Sequence, residues 1–240
     1  MGPRLDRDGL RGAVYLADVS VLVDVLDHDI WPADALQLLG EAVLVAAGEQ
    51  ADRVRSSGRR CAARLRARDW EGDSELADQI ASALGLGPPP VLRPLAVDLE
   101  ELAGVLEGDH RLNGGGRIDV RTGEVWALAA VEYAEEVGEL DSDEVDDQGW
   151  LEVVCEGSRA AYRDMEMFID RLDDVRVADR LGRSIQGRGA FRRFKDVLAG
   201  APELLEGWYG FSDDRRRGRA RAWLAVQGYS ATPPTASPAP

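Results

Sequence analysis

Between Gly187 and Phe211 the chain interleaves Arg188, Arg192, Arg193 and Lys195 with Phe191, Phe194, Trp208, Tyr209 and Phe211. Guanidinium and ammonium groups bind phosphate or carboxylate oxygens, and aromatic side chains supply rigid contact area at an interface. On a helix beginning near Ala190, Phe191 and Phe194 share a face with Leu198, whereas Arg192 and Lys195 share another. Two readings stay open: these residues contact a partner, or they are the core stripe and solvated rim of an amphipathic helix. Arg215, Arg216, Arg217, Arg219 and Arg221 follow shortly and would enlarge a basic face if they lay beside it. Arginine also pairs bidentately with carboxylates, so the acidic stretch at 132–147 is a possible partner within the chain.

Other chemistry is poorly supported. Residues 132–147 hold nine carboxylates and no base, which suggests a solvated loop or a hard-cation site. A Ca²⁺ loop needs oxygen ligands at fixed spacing with a turn glycine; Asp141, Asp143 and Glu144 do not keep that spacing and no glycine occupies the turn. The stretch from Tyr15 through Asp18 and Ser20 resembles the opening strand of PIN-type nucleases, where an Asp at the strand end begins an acidic metal site. The helical pattern downstream withholds the further strands such a domain requires. His28 and His110 have no catalytic company, Ser20 has no nucleophile elbow, and Gly114-Gly115-Gly116 precedes a strand. A glycine run there cannot present helix N–H groups to phosphate. The expectation is therefore no enzyme, no catalytic residue, no metal and no cofactor.

The net charge of -15 argues against a general nucleic-acid coat, because phosphate is repelled over most of the surface. The charge is uneven. Residues 159–229 carry 15 bases and 11 acids, a balance of +4, whereas residues 1–158 carry 14 and 33, a balance of -19. Cys61 and Cys155 keep no metal-ligand spacing and read as small apolar residues of a reduced interior. With no signal-peptide pattern and no run of about 18 apolar residues, a cytoplasmic location is expected.

The elements that would position these side chains follow from periodicity. Ala13–Leu26 is apolar, interrupted by Asp18 and Asp24, and suits a short strand or a helix. Leu39, Val43, Ala46, Val54, Cys61 and Leu65 predict helix from about Pro32 to Arg68, with a break near Gly48 or Gly58. Leu76, Ile80 and Leu84 mark another helix, opened by Asp73 or Ser74 and closed by Gly85. Gly87-Pro88-Pro89-Pro90 and Pro94 form a stiff linker. A short helix at Leu99, Leu102 and Leu106 precedes a hairpin over Arg117–Leu128, with Thr122-Gly123 as its reversal. Trp150–Val154 reads as a third strand. Stripes at Tyr162/Met165/Ile169/Leu172, Val177/Leu181/Ile185, Phe191/Phe194/Leu198 and Ala220/Trp223/Leu224 predict four further helices. Trp126 and Trp150 are expected between sheet and helices, and Trp208 and Trp223 between the last two helices.

Taken in order, the Thr-Gly-Glu hairpin, the acidic segment, the third strand, Tyr162-x-x-Met165-x-x-Phe168-Ile169, the Gly187–Lys195 run and Trp208-Tyr209-x-Phe211 resemble the bacterial uncharacterised protein family 0158. The resemblance covers about residues 97–229 and implies a fold unit; that family has no assigned activity, so no catalytic residue comes with it. The expected fold is α+β: a helical N-terminal extension (1–85), a Pro-rich linker (86–96), and a module (97–229) in which a small three-stranded antiparallel sheet packs on a C-terminal helical bundle. A disordered tail (230–240) ends the chain. The expected function is a non-enzymatic interaction module binding a protein partner through Arg188, Phe191, Arg192, Arg193, Phe194, Lys195, Trp208 and Tyr209. The alternatives are an RNA- or DNA-associated protein using the same face, and a metal-dependent hydrolase or nuclease with an N-terminal carboxylate site.

Overall fold

The computed structural model describes residues 6–28, 31–89, 91–108, 114–138 and 149–233. Its N-terminal part is helical: α1 (Arg7–Tyr15), α2 (Val19–Leu26), α3 (Leu36–Arg68) and α4 (Asp73–Ala83). The apolar stretch that suited either a strand or a helix is two helices, broken at Ala17 with φ 51° and restarted by Asp18, whose carboxylate accepts the Val21 N–H. A helix cap consumes the very carboxylate that a nuclease strand would need at its end. The long helix kinks at Gln50 (φ -132°, ψ 45°), two residues beyond Gly48; Gly58 instead lies under Leu84 of α4.

Next come β1 (Arg93–Ala96), α5 (Leu99–Leu106), β2 (Gly116–Asp119), β3 (Val125–Ala127), α6 (Leu128–Val137) and β4 (Trp150–Val153). Four helices complete the chain, α7 (Arg159–Asp170), α8 (Val175–Ser184), α9 (Ala190–Ala199) and α10 (Pro202–Val226), before β5 (Tyr229–Thr232). The predicted antiparallel sheet forms in the order β3-β2-β4. Gly123 (φ 82°) turns its hairpin, and a Cβ there would stand 1.9 Å from the Ala96 carbonyl oxygen, so glycine is required twice over.

Three expectations need correction. The linker contains β1 and the tail begins with β5, and these two pair in parallel from Arg93↔Tyr229 to Ala96↔Thr232. A four-residue pairing across the length of the module leaves no local turn signal, and Pro94 is tolerated because β1 is an edge strand. The first part of the acidic segment is helix α6; its remainder, like His110 and residues 234–240, lies outside the described residues. Finally, the register places Ile118, Val125, Leu151 and Val153 on the sheet face that joins the core of α5 and α10. Trp126 pairs with Arg117 on the other face and meets Trp150 edge-on at 6.3 Å, so neither indole lies under the core helices.

Apolar packing is divided into three clusters. One is built wholly from residues 10–84, one joins the strands to α5 and the end of α10, and one joins α7, α8, α9 and the first half of α10. The sheet thus rests on α5 and the last turns of α10 rather than on the whole bundle. Trp208 belongs to the third cluster and joins the last two helices as expected, 4.8 Å from Phe194 of α9, whereas Trp223 belongs to the second.

Neither cysteine is in a disulfide and both are buried, Cys61 at 0% exposure and Cys155 at 1%. Burial, and then the Asp214 carboxylate, push the Cys61 thiol up to about 12. A buried protonated thiol does not attack. The folded protein should therefore leave Ellman's reagent unreacted at pH 8, and both thiols should titrate once denaturant is added.

Candidate functional site

The basic-aromatic run is split by the fold. The buried stripe of α9 is Ala190, Phe194 and Leu198, at a helical spacing of four, and Phe191 is turned out with 37% exposure. Phe194 lies 4.8 Å from Trp208 and 6.4 Å from Phe168, both edge-on, while Trp208 and Phe211 complete the aromatic core. These rings are packing, not anchors for a partner.

Arg193 is also structural. Its Nε donates to the Ser184 carbonyl at 2.9 Å, one Nη donates to Gln186 at 2.6 Å, and the other donates to the carbonyl of Arg188. One guanidinium thereby closes the turn between α8 and α9, satisfying carbonyls that the end of α8 leaves free. Tyr209 is 55% exposed but faces α1, where it lines a cleft with Arg7, Arg11 and Arg216. It does not join the run. The residues left facing solvent together are Arg188, Phe191, Arg192 and Lys195.

The arginines of α10 do not enlarge that face; they point inward along two sides of the helix. On one side Arg215 Nε donates to Asp164 at 3.0 Å, Arg219 bridges Asp164 and Glu107 at 2.7 Å each, and Arg216 reaches Glu107 at 2.9 Å. On the other, Asp214, Arg217, Gly218 and Arg221 fall at the spacing of one helix face, all buried, and all meet the N-terminal part. Arg217 donates to Glu41 and Glu100 at 3.0 Å each, and to Asp213 at 3.3 Å. Arg221 donates to Gln37 and Glu41 at 3.0 Å and to Gln79 at 2.8 Å. Asp214 accepts the Gln37 backbone N–H at 2.8 Å and pairs with Arg68, which in turn grips Asp73 at 2.6 and 2.9 Å.

This seam has strained electrostatics. Burial pushes Asp214 up to about 6 against the pull of Arg68 and the Gln37 N–H. Burial opposes the charge of Arg217, but Glu41, Asp213 and Glu100 outweigh it and its pKa stands above the ordinary value. Arg221 ends below its ordinary value because burial prevails over Glu41. Close backbone approach makes the seam possible: a Cβ on Gly72 would lie 2.1 Å from the Gly218 carbonyl oxygen, and one on Gly218 would lie 2.2 Å from that of Glu71.

Sequence reasoning missed Gln37, Glu41, Arg68, Asp73, Asp164 and Asp214. A signal existed: Gln37 and Glu41 interrupt an apolar run at a spacing of four, and Asp214, Arg217 and Arg221 repeat at helical spacing. Among the described residues no group of three or more His, Cys, Asp or Glu side chains is set to hold a metal ion. His28 Nδ1 lies 2.8 Å from its own helix's Asp24 carbonyl oxygen. No helix among the described residues is long and apolar enough to cross a membrane.

A small antiparallel sheet clasped to a helix that buries arginine pairs on two faces defines an α+β module. Residues 115–233 match the model of the Uncharacterised protein family (UPF0158), so the C-terminal part of the chain carries that family's module, as the resemblance implied. The match starts at Gly115 rather than Val97 and runs to Pro233, leaving α5 outside and taking in β5. A UPF0158 protein of Pseudomonas aeruginosa is 27% identical over 136 residues, which span 55% of this chain and 84% of that one. No solved structure matches the chain. The function of the family is uncharacterised.

Two outcomes follow from these contacts. Glu41→Ala strands Arg217 and Arg221 in the interior and should cost about 3–5 kcal/mol in urea unfolding, whereas Glu100→Ala, at a half-exposed carboxylate, should cost under about 1 kcal/mol. Arg193→Ala should cost about 1–3 kcal/mol by releasing the turn carbonyls, against about 0.5 kcal/mol or less for Arg192→Ala, measured the same way.

Proposed function

We propose that this chain is a non-enzymatic, cytoplasmic interaction protein that binds an acidic protein segment through the α8–α9 hairpin. The observation that carries this reading is a set of free cations. Arg176, Arg180, Arg183, Arg188, Arg192 and Lys195 are all exposed, and none makes an ion pair among the described residues. Residues 174–200 hold seven bases and three acids in a chain of net charge -15. Unpaired arginines on a rigid hairpin suit bidentate contact with carboxylates, and Phe191 and Val175, 37% and 70% exposed, add apolar area. The turn glycines and the Arg193 clamp hold the presenting helices, which spares a partner the cost of ordering them.

An acidic protein is favoured over nucleic acid by the rest of the surface. A long polyanion crossing the hairpin would meet the acidic remainder of the chain, whereas a short acidic segment need touch only the hairpin.

The test compares wild type with Arg188→Glu/Arg192→Glu/Lys195→Glu, sparing Arg193 so that the turn survives. Each is used to capture material from a lysate of the native host, with and without nuclease. Any captured protein is then titrated against both chains at rising salt. A protein retained after nuclease, bound at least about tenfold more weakly by the variant and released by salt, is expected. Material lost on nuclease treatment would transfer the face to nucleic acid, and equal binding by both chains would end the proposal.

A further inference from the structure

The N-terminal helical unit, residues 6–84, packs its own apolar cluster and meets the module mainly through ions and amides. Trp70 is the exception, lying edge-on to Phe211 at 5.3 Å. Contacts of this polar kind resemble those between separate proteins more than the interior of one domain. The charges are matched across the seam: Glu41 serves Arg217 and Arg221, and Arg68 serves Asp214. The only covalent join is the segment from Gly85 to Leu92, where Gly85, Leu86, Gly87, Pro88 and Pro89 are exposed and Val91 is 98% exposed. Consecutive prolines favour an extended course of about 3.1 Å per residue over a return turn.

We infer that the α10 face formed by Asp214, Arg217, Gly218 and Arg221 is a docking surface that the N-terminal unit of a second copy can occupy. Such an exchange keeps every contact of the closed chain and alters only the course of the hinge, which makes it a low-cost route to a pair. The β1–β5 pairing lies beyond the hinge and stays within its own module. The module is not bound to a covalent N-terminal unit throughout its relatives. The matched Pseudomonas protein has about 26 residues outside its 136-residue match, since 136 is 84% of its length, too few for the four helices present here.

Intramolecular closure competes with exchange at an effective concentration near the millimolar range for short flexible joins, so pairing is to be sought on refolding at high concentration. The decisive experiment mixes two differently tagged full-length chains. One carries Glu41→Arg, which spoils its N-terminal unit; the other carries Arg217→Glu/Arg221→Glu, which spoils its module face. Exchange in the mixture restores one native seam, which neither chain can form alone. Co-refolded chains should then capture each other at least about tenfold more than either captures itself. Wild type refolded at rising concentration provides an independent reading that needs no variant, and its mass by light scattering should move from one chain to two. A single-chain mass at every concentration, or pairing of wild type without selective capture between the two variants, would overturn the inference; the latter outcome describes a side-by-side dimer. Because the α8–α9 cations are untouched in every chain, failure here leaves the acidic-partner proposal standing, and the converse holds.

Discussion

A guanidinium taken out of water must find acceptors for its protons or cost several kcal/mol, and α10 buries Arg217 and Arg221 on one face and Arg219 on another. Meeting that requirement positions most of the molecule. Arg217 needs α3 and α5 at once, through Glu41 and Glu100; Arg221 needs α3 and α4, through Gln37, Glu41 and Gln79; Arg219 needs α5's end and α7, through Glu107 and Asp164. Buried ion pairs are poor sources of stability compared with apolar side chains of the same volume, but they penalise misplacement heavily. Here they select one docking geometry between units whose apolar clusters are otherwise separate.

The same constraint explains the glycines at the crossing. Guanidinium-to-carboxylate contacts near 3.0 Å require the turn before α4 to lie against the α10 backbone, and side chains at Gly72 or Gly218 would hold the two main chains apart. Arg68, stacked 4.0 Å from the Trp70 ring, then reaches both Asp73 and Asp214, so an aromatic contact and an ion network share one corner. Helix α10 consequently runs through all three regions of the molecule with Trp208 in the aromatic core, its middle in the ionic seam and Leu224 under the sheet.

Much of this was legible in the sequence where the signal was local. The hairpin declared itself through alternation and the Thr122-Gly123 reversal, and the helices through stripes such as Met165/Ile169. The family-like module was legible through the Gly187–Lys195 run. What escaped was non-local. β1 and β5 are four residues each and pair in parallel across the whole module, and a proline in β1 disguised it as linker. The roles within the run depended on rotation about α9: a stripe starting at Ala190 rather than Phe191 turns Phe191 outward, and periodicity over ten residues does not separate those phases. Arg193 looked like its neighbours because its function lies in carbonyls from Ser184 to Arg188, and backbone acceptors have no residue type.

The charge count illustrates how composition misleads until partners are assigned. The surplus of four bases in residues 159–229 suggests one diffuse basic module. Five of those bases, the arginines of α10, are spent on carboxylates, and Glu41, Glu100 and Glu107 among these come from before residue 159. They contribute little field outside the protein. Among the described residues the exposed arginines and lysine of α8 and α9 make no ion pair, so they keep their field outside the protein. The acidic N-terminal unit thus neutralises the arginines that face it.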